Sequence, residues 1–323
     1  MDKSHKTSDS GSETRIGIIV DAGPTVGYGR VLRCLRLANA LTRHAAVAFY
    51  PLSEHCREFL TSAETNPKCE IHDSPFVAKS LPPLVVTDLR EAHGITATIR
   101  GHHSRHISIH DLGLAQCRSD VAIDGGITRL FPYAAVKNRA LYAGPQYMIT
   151  RAPVTRATPT DTVLITFGGG SRWTYAQRIS AEMDRIGLRP VMTGGFAGSV
   201  TMSEEELARA MSTCRFAISA AGPILYDLVA SGVPTIAVAF DRIQLRTAEA
   251  FHERGALFSA GLAENASAPV VLGHCLELLE NGPLVKRITE IGQTLVDGNG
   301  LSRVVEIVRR ESWLTGNKTR ICC

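Results

Sequence analysis

Apolar and polar positions follow a repeating rhythm from Arg15 onward. The run Ile16-Gly17-Ile18-Ile19-Val20 is short, apolar and largely β-branched, and it stops at Asp21. A continuous apolar run bounded by turn residues marks a strand buried on both faces. The turn-forming stretch from Ala22 to Gly29 follows. Val31, Cys34, Leu35, Ala38 and Leu41 then recur at helical spacing, with Arg33, Arg36 and Asn39 off the stripe. The unit is strand, glycine loop, helix. Further strands are expected at Ala45–Phe49, Leu84–Thr87, Ile107–Ile109, Val121–Ile123 and Leu141–Ala143. Helical or irregular segments separate them.

The rhythm breaks near Gln146–Thr160, where Pro153 and Pro159 suggest a linker. It resumes at Val163-Leu164-Ile165-Thr166-Phe167, which runs into Gly168-Gly169-Gly170-Ser171. Strands are expected at Pro190–Thr193, Phe216–Ser219 and Thr235–Ala239. Helices are expected at Trp173–Ile186, Glu204–Met211, Ile224–Ser231, Gln244–Arg254, Val270–Glu280 and Leu301–Arg310. Strands alternating with helices imply parallel sheets covered on both faces. The expected organisation is a disordered tail at 1–14, one doubly wound α/β domain at 15–150 and a second at 160–315. A ligand cleft should lie between the carboxyl ends of their strands.

The 323 residues are enough for two cores, and 44% hydrophobic with 20% charged residues excludes a disordered chain. A net charge of +4, with no basic block, gives no reason to expect nucleic acid. No apolar run is long enough to span a membrane, and the polar N-terminus is no signal peptide. The eight cysteines are scattered without a C-x-x-C pair, so reduced thiols and a cytoplasmic location are expected. The closing Cys322-Cys323 resembles a double-cysteine prenylation end, although a frayed tail is the plainer reading.

Three segments suggest chemistry. Gly27-Tyr28-Gly29 opens a helix, where unpaired backbone N–H groups favour an anion. It is neither a dinucleotide fingerprint nor a P-loop, and a plain glycine turn explains it as well. Gly168-Gly169-Gly170 leaves the backbone open to close approach, or simply turns the chain. In Ala220-Ala221-Gly222-Pro223-Ile224-Leu225-Tyr226-Asp227 a strand ends and proline enters a helix. Asp227 then lies a turn further on, where it would reach ribose hydroxyls or merely complement the helix dipole. Gly194-Gly195 borders the same region or turns the chain. His102, His103, His106 and His110 cluster, and His102 with His106 would share a helix face. A solvated loop is favoured over a metal site, and no metal or cofactor is expected.

Asp21-Ala22, Gly27-x-Gly29 and Val31-x-Arg33-Cys34-Leu35-x-Leu37-Ala38-x-Ala40-Leu41 together resemble the opening of the nucleotide-sugar hydrolases of pseudaminic acid biosynthesis. The related spore-coat polysaccharide proteins are similar. Ile109-His110-Asp111-Leu112-Gly113 and Gly144-Pro145-Gln146-Tyr147-x-x-x-Arg151 extend the likeness. Phe167-Gly168-Gly169, Ala220-Ala221-Gly222-x-x-Leu225-x-Asp227 and Gly232-Val233-Pro234 followed by Gln244 carry it to about residue 300. Wider relatives are the two-domain GT-B glycosyltransferases, including the peptidoglycan N-acetylglucosaminyltransferase.

The resemblance implies a GT-B-like fold and a UDP-sugar in the cleft, cleaved at its anomeric C–O bond. Gly27, Gly29, Arg33, Arg151, Gly168, Gly169, Gly170, Gly222, Ile224, Leu225, Asp227 and Gln244 would bind it. Gly222 to Leu225 would present N–H groups to the diphosphate. The asparagine of the family's Asn-Gln pair is absent, since Ile243 precedes Gln244, and Asp227 stands where glutamate is usual. The family's Gly-x-Gly-His carries the proposed base, and here that residue is Arg30. Guanidinium cannot take a proton from water, but it can neutralise a diphosphate leaving group. The remaining candidate bases are Asp21, Asp88 and Asp111. A hydrolase-like enzyme of surface-glycan or nonulosonic acid biosynthesis is the first reading. A glycosyltransferase with a sugar or small-molecule acceptor is the second, and a non-catalytic nucleotide-sugar binder the third.

Overall fold

The computed structural model describes residues 14–24, 26–63, 66–73, 81–89, 93–110, 118–128, 140–168, 172–193 and 202–318. Among these, two parallel sheets form, of seven and five strands. The polar tail, Asp111, Gly169, Gly170, Gly194-Gly195 and the terminal cysteine pair lie outside the described residues.

The first sheet comprises β1 (Arg15–Val20), β2 (Ala46–Pro51), β3 (Cys69–Ile71), β4 (Leu84–Asp88), β5 (Arg105–Ile109), β6 (Val121–Asp124) and β7 (Ala140–Ala143). Their order is β3-β2-β1-β4-β5-β6-β7. Helices α1 (Gly29–Leu41), α2 (Glu54–Ser62) and α3 (His93–Gly101) connect them. The order reverses at β1, so β1 and β4 flank a topological switch point, with Val20 paired to Asp88. The expected stripe of α1 is buried, but so are Arg33 and Leu37. The helix is covered on more than one side, because it also meets helices of the second half.

The second sheet comprises β8 (Thr162–Thr166), β9 (Arg189–Thr193), β10 (Phe216–Ala220), β11 (Thr235–Ala239) and β12 (Phe258–Leu262), in the order β12-β11-β10-β8-β9. Its switch point lies between β8 and β10, where Thr166 pairs with Ser219. Its helices are α4 (Arg172–Arg185), α5 (Glu204–Thr213), α6 (Pro223–Ala230), α7 (Arg242–Glu253), α8 (Ala268–Glu280) and α9 (Gly282–Leu295). Ser203 and Glu206 close a reciprocal capping box at the start of α5, so the polar Ser-x-x-Glu sequence fixes that helix start.

The last helix, α10 (Gly300–Lys318), departs from the expected division. Its Val304, Ile307 and Val308 join the core formed by Ile16, Ile18, Val20 and Leu37 of the first domain. Glu311 of α10 pairs with Arg105 of β5. The interval 160–315 therefore contains a helix that completes the other domain's core. The linker between the domains is clasped, since the Arg156 guanidinium donates to the Cys214 carbonyl at 2.6 Å and the Val154 N–H to Ser231 Oγ at 3.2 Å.

Candidate functional site

Both glycine loops and the Gly222 turn follow strands at the two switch points, so the topology delivers them to the strand carboxyl ends. Gly27 has φ +80° and Gly168 φ +76°, conformations that favour glycine. Gly27 and Gly23 bridge each other, with the Gly27 N–H donating to the Gly23 carbonyl at 2.7 Å. A Cβ added at Gly27 or Gly222 would meet no described atom within 4 Å.

The start of α1 meets the start of α6. A Cβ on Gly29 would lie 3.1 Å from Cγ of Pro223. Two helix N-termini, one from each domain, thus converge, and neither first turn contains an acidic residue. Arg30 stands in the first turn of α1, with its Nε 3.7 Å from Asp88 Oδ1. Proline offers no N–H at the start of α6, and the Leu225 N–H is donated to the Gly222 carbonyl at 3.0 Å. Leu225 is accordingly a core residue rather than a donor to an anion, and Ile224 and Gly222 supply the first-turn N–H groups.

Asp88, a candidate base by sequence, is fully buried. The guanidinium of Arg33, equally buried, grips it through Nε and through Nη2 at 2.5 Å. Burial disfavours the Arg33 charge, and Asp88 more than restores it. Neither reaches the cleft as the sequence suggests. A buried carboxylate and guanidinium survive only as a pair, and this pair ties α1 to β4. Asp21 is partly exposed at the end of β1, where its Oδ1 accepts from the Ala22 N–H at 2.9 Å and from the Ser53 hydroxyl at 2.5 Å.

Asp227 and Arg151 also have partners within the protein. The Arg36 guanidinium donates to Asp227 Oδ2 at 3.2 Å, and the Arg151 N–H donates to Oδ1 at 2.9 Å. Arg36 and Arg151 both pair with Glu204 of α5. The four charges join the two domains and the linker. Burial pushes the Asp227 carboxyl up against the pull of Arg36. Burial opposes ionisation of Glu204 too, but Arg36 and Arg151 outweigh it and hold that carboxyl below its usual range. Gln244 turns inward, its Oε1 accepting from the Phe240 N–H at 3.2 Å, while its own N–H is capped by Asp241 at 2.8 Å.

One residue beyond the sequence expectation, Arg172, and one from its histidine cluster, His110, flank the strand ends. Arg172, in the first turn of α4, lies 4.8 Å above the Phe240 ring and donates to the Phe167 carbonyl at 3.3 Å. A cation directly after a glycine loop was the available signal. His110 follows β5, its Nε2 2.5 Å from Ser108 Oγ. Burial pushes both His110 and His106 down to about 4. His106 sits within β5, whereas His102 follows α3, so they share no helix face. Among the described residues no group of three potential metal ligands occurs, and no helix is long and apolar enough to cross a membrane.

A glycotransferase of kitacinnamycin superposes with a TM-score of 0.62 at 12% identity, over 93% of this chain and 99% of that one. The fold is of the GT-B type. A UGT transferase from Siraitia grosvenorii, solved in complex with UDP, shares this GT-B fold with a TM-score of 0.59 at 13% identity, over 91% of this chain and 99% of that one. In sequence, the chain is similar to the spore coat polysaccharide biosynthesis protein SpsG of Bacillus subtilis (strain 168). The two are 24% identical over 333 aligned positions, covering 91% of this GT-B chain and 97% of that protein. No family model matches.

Proposed function

We propose that this chain is a nucleotide-sugar-dependent glycosyltransferase of polysaccharide assembly, with a UDP-sugar as donor and a hydroxyl or amine as acceptor. The observation that carries this reading is the meeting of α1 and α6 at Gly29 and Pro223, with Arg30 beside it. Two helix dipoles and a guanidinium converge on one point, an arrangement suited to a diphosphate. The nucleotide lies over the second sheet, along Gly168, Gly222 and Ile224. Gly27 and Gly29 border the sugar and acceptor side.

In this mechanism Arg30 stabilises the charge that grows on the leaving diphosphate as the anomeric C–O bond breaks. Asp21 takes the acceptor proton. One of its oxygens is pinned by Ala22 and Ser53, which leaves the other for the acceptor. The similarity to a polysaccharide biosynthesis protein supports the pathway class. The hydrolase reading has less support, because the histidine of the resembling hydrolases is replaced by Arg30 and the superposed structures are named as transferases.

The test incubates the pure protein with a panel of UDP-sugars, with and without hydroxyl and amine acceptors. UDP release that requires an acceptor is the expected result. Sugar release into water alone returns the hydrolase reading. Donor binding without any turnover returns the non-catalytic binder.

A further inference from the structure

Helix α8 is apolar on two opposite faces. Inward, Val271, Cys275 and Leu278 are buried in the core of the second domain. Outward, Pro269, Val270, Gly273 and Leu276 follow one another at helical spacing, and all are exposed. Val270 is 43% and Leu276 48% exposed, although both are large aliphatic side chains. From Ala268 to Leu276 the sequence has no charged residue, and its His274 is stacked on Phe258 with ring centroids 4.6 Å apart. A surface helix turns polar residues outward, whereas a helix that is apolar all round is a covered one. The charges of α8 also run in the unfavourable order. Glu277 and Glu280 stand in its last turn with no basic residue there, and its first turn has neither an acidic residue nor a side-chain cap from Ser267. The helix dipole favours the reverse.

We propose that the outer face of α8 docks on the same face of a second copy of this chain, the two helices running antiparallel about a two-fold axis at Gly273. Such an axis sets Leu276 of each copy against Val270 of the other, since both stand three residues from Gly273. A Cβ on Gly273 would meet no described atom within 4 Å, and the bare backbone lets the two helices approach closely. Glu277 of each copy meets Pro269 and the first turn of the other, where the positive end of the dipole has no acidic residue of its own. The pairing is self-complementary, as a two-fold contact must be. A parallel pairing would instead set Glu277 against Glu277 and leave both helix starts unmet. The aliphatic contact supplies the affinity and the carboxylates fix the direction. One helix pair covers less than the roughly 800 Å² per partner of a standard interface, so the association is weak and depends on concentration. The inference is independent of the glycosyl-transfer reading.

The experiment is sedimentation velocity of the full chain from about 1 to 100 μM, the range that reports a micromolar constant. The sedimentation coefficient is expected to rise with concentration toward that of a dimer. Leu276→Lys places one unpaired cation from each copy in the contact and is expected to weaken dimerisation by about tenfold or more. Its circular dichroism should match the wild type, because this side chain already faces water. Gly273→Cys, on the axis, brings two thiols within disulfide reach and is expected to crosslink to itself under mild oxidation, above the level of the parent chain. A wild type that stays monomeric across the range overturns the proposal and leaves the face to a different partner. A dimer that Leu276→Lys leaves intact forms elsewhere and overturns it too, as does a Gly273→Cys chain that crosslinks no more than its parent.

Discussion

Acid should weaken this fold well before its carboxylates are protonated, through two histidines on and after β5. His106 Nε2 is 2.8 Å from Thr87 Oγ1, and His110 Nε2 is 2.5 Å from Ser108 Oγ. Both rings are nearly inaccessible, at 3% and 4% exposure, and burial pushes each down to about 4 from 6.5. The unfolded chain therefore binds protons in a range where the folded chain does not. Stability contributed by the neutral rings is present above about pH 6.5 and is lost as pH falls toward about 4. Between about pH 7 and pH 5 each ring should cost roughly 2 kcal/mol, hence about 4 kcal/mol together. A domain of ordinary stability has only about 5–15 kcal/mol to lose.

The assay is urea unfolding at constant ionic strength across that range, on the wild type and on a His106→Gln/His110→Gln variant. Glutamine retains a polar group near each hydroxyl but does not titrate there. The variant is less stable at neutral pH and should show a much flatter dependence on pH. Parallel curves for the two proteins would refute the reasoning, since the carboxylates are common to both.

Three further outcomes follow from the site. Arg30→Ala should lower turnover more than donor affinity, because charge builds on the diphosphate only as the bond breaks; steady-state kinetics with equal losses in both would sink that role. Asp88→Asn should destabilise by about 3–5 kcal/mol, since it strands the buried Arg33 charge; retained stability with lost turnover in a urea and activity series would make Asp88 a base after all. Gly29→Val should lower the melting midpoint by the equivalent of about 1–3 kcal/mol, because the added carbon meets Pro223. Gly94→Ala, where a Cβ meets no described atom within 4 Å, is the control and should not.

Local pattern carried the architecture a long way. The β-branched runs at Ile16–Val20 and Thr235–Ala239 form strands because such side chains pack well between two helical layers. The weak elements escaped notice. The strand Phe258–Leu262 has three small residues in a row, Ser259, Ala260 and Gly261, and Cys69–Ile71 is only three residues long. Helix Gly282–Leu295 opens on Gly-Pro, which reads as a break until Asn281 is seen capping Leu284 at 3.0 Å. At the candidate site, the glycine loops were legible from their place after strands. The fates of the charges were not. Arg33 and Arg36 both fall off the apolar stripe of α1, yet one finds Asp88 and the other Asp227, 191 residues away. Sequence spacing along one helix contains no trace of such partners.

The return of α10 sets chain order against folding order. Nascent domains generally fold as units, beginning from the N-terminus, while the remainder is still being made. Here the first domain cannot finish on that schedule. Val304, Ile307 and Val308 belong beside Ile16 and Leu37, so that core stays open on one side until nearly the whole chain has emerged. The second domain, whose sheet and flanking helices end by Leu295, is complete before then. The domain synthesised first is thus sealed last, and its helix α1 waits with an uncovered apolar face through most of the protein's synthesis.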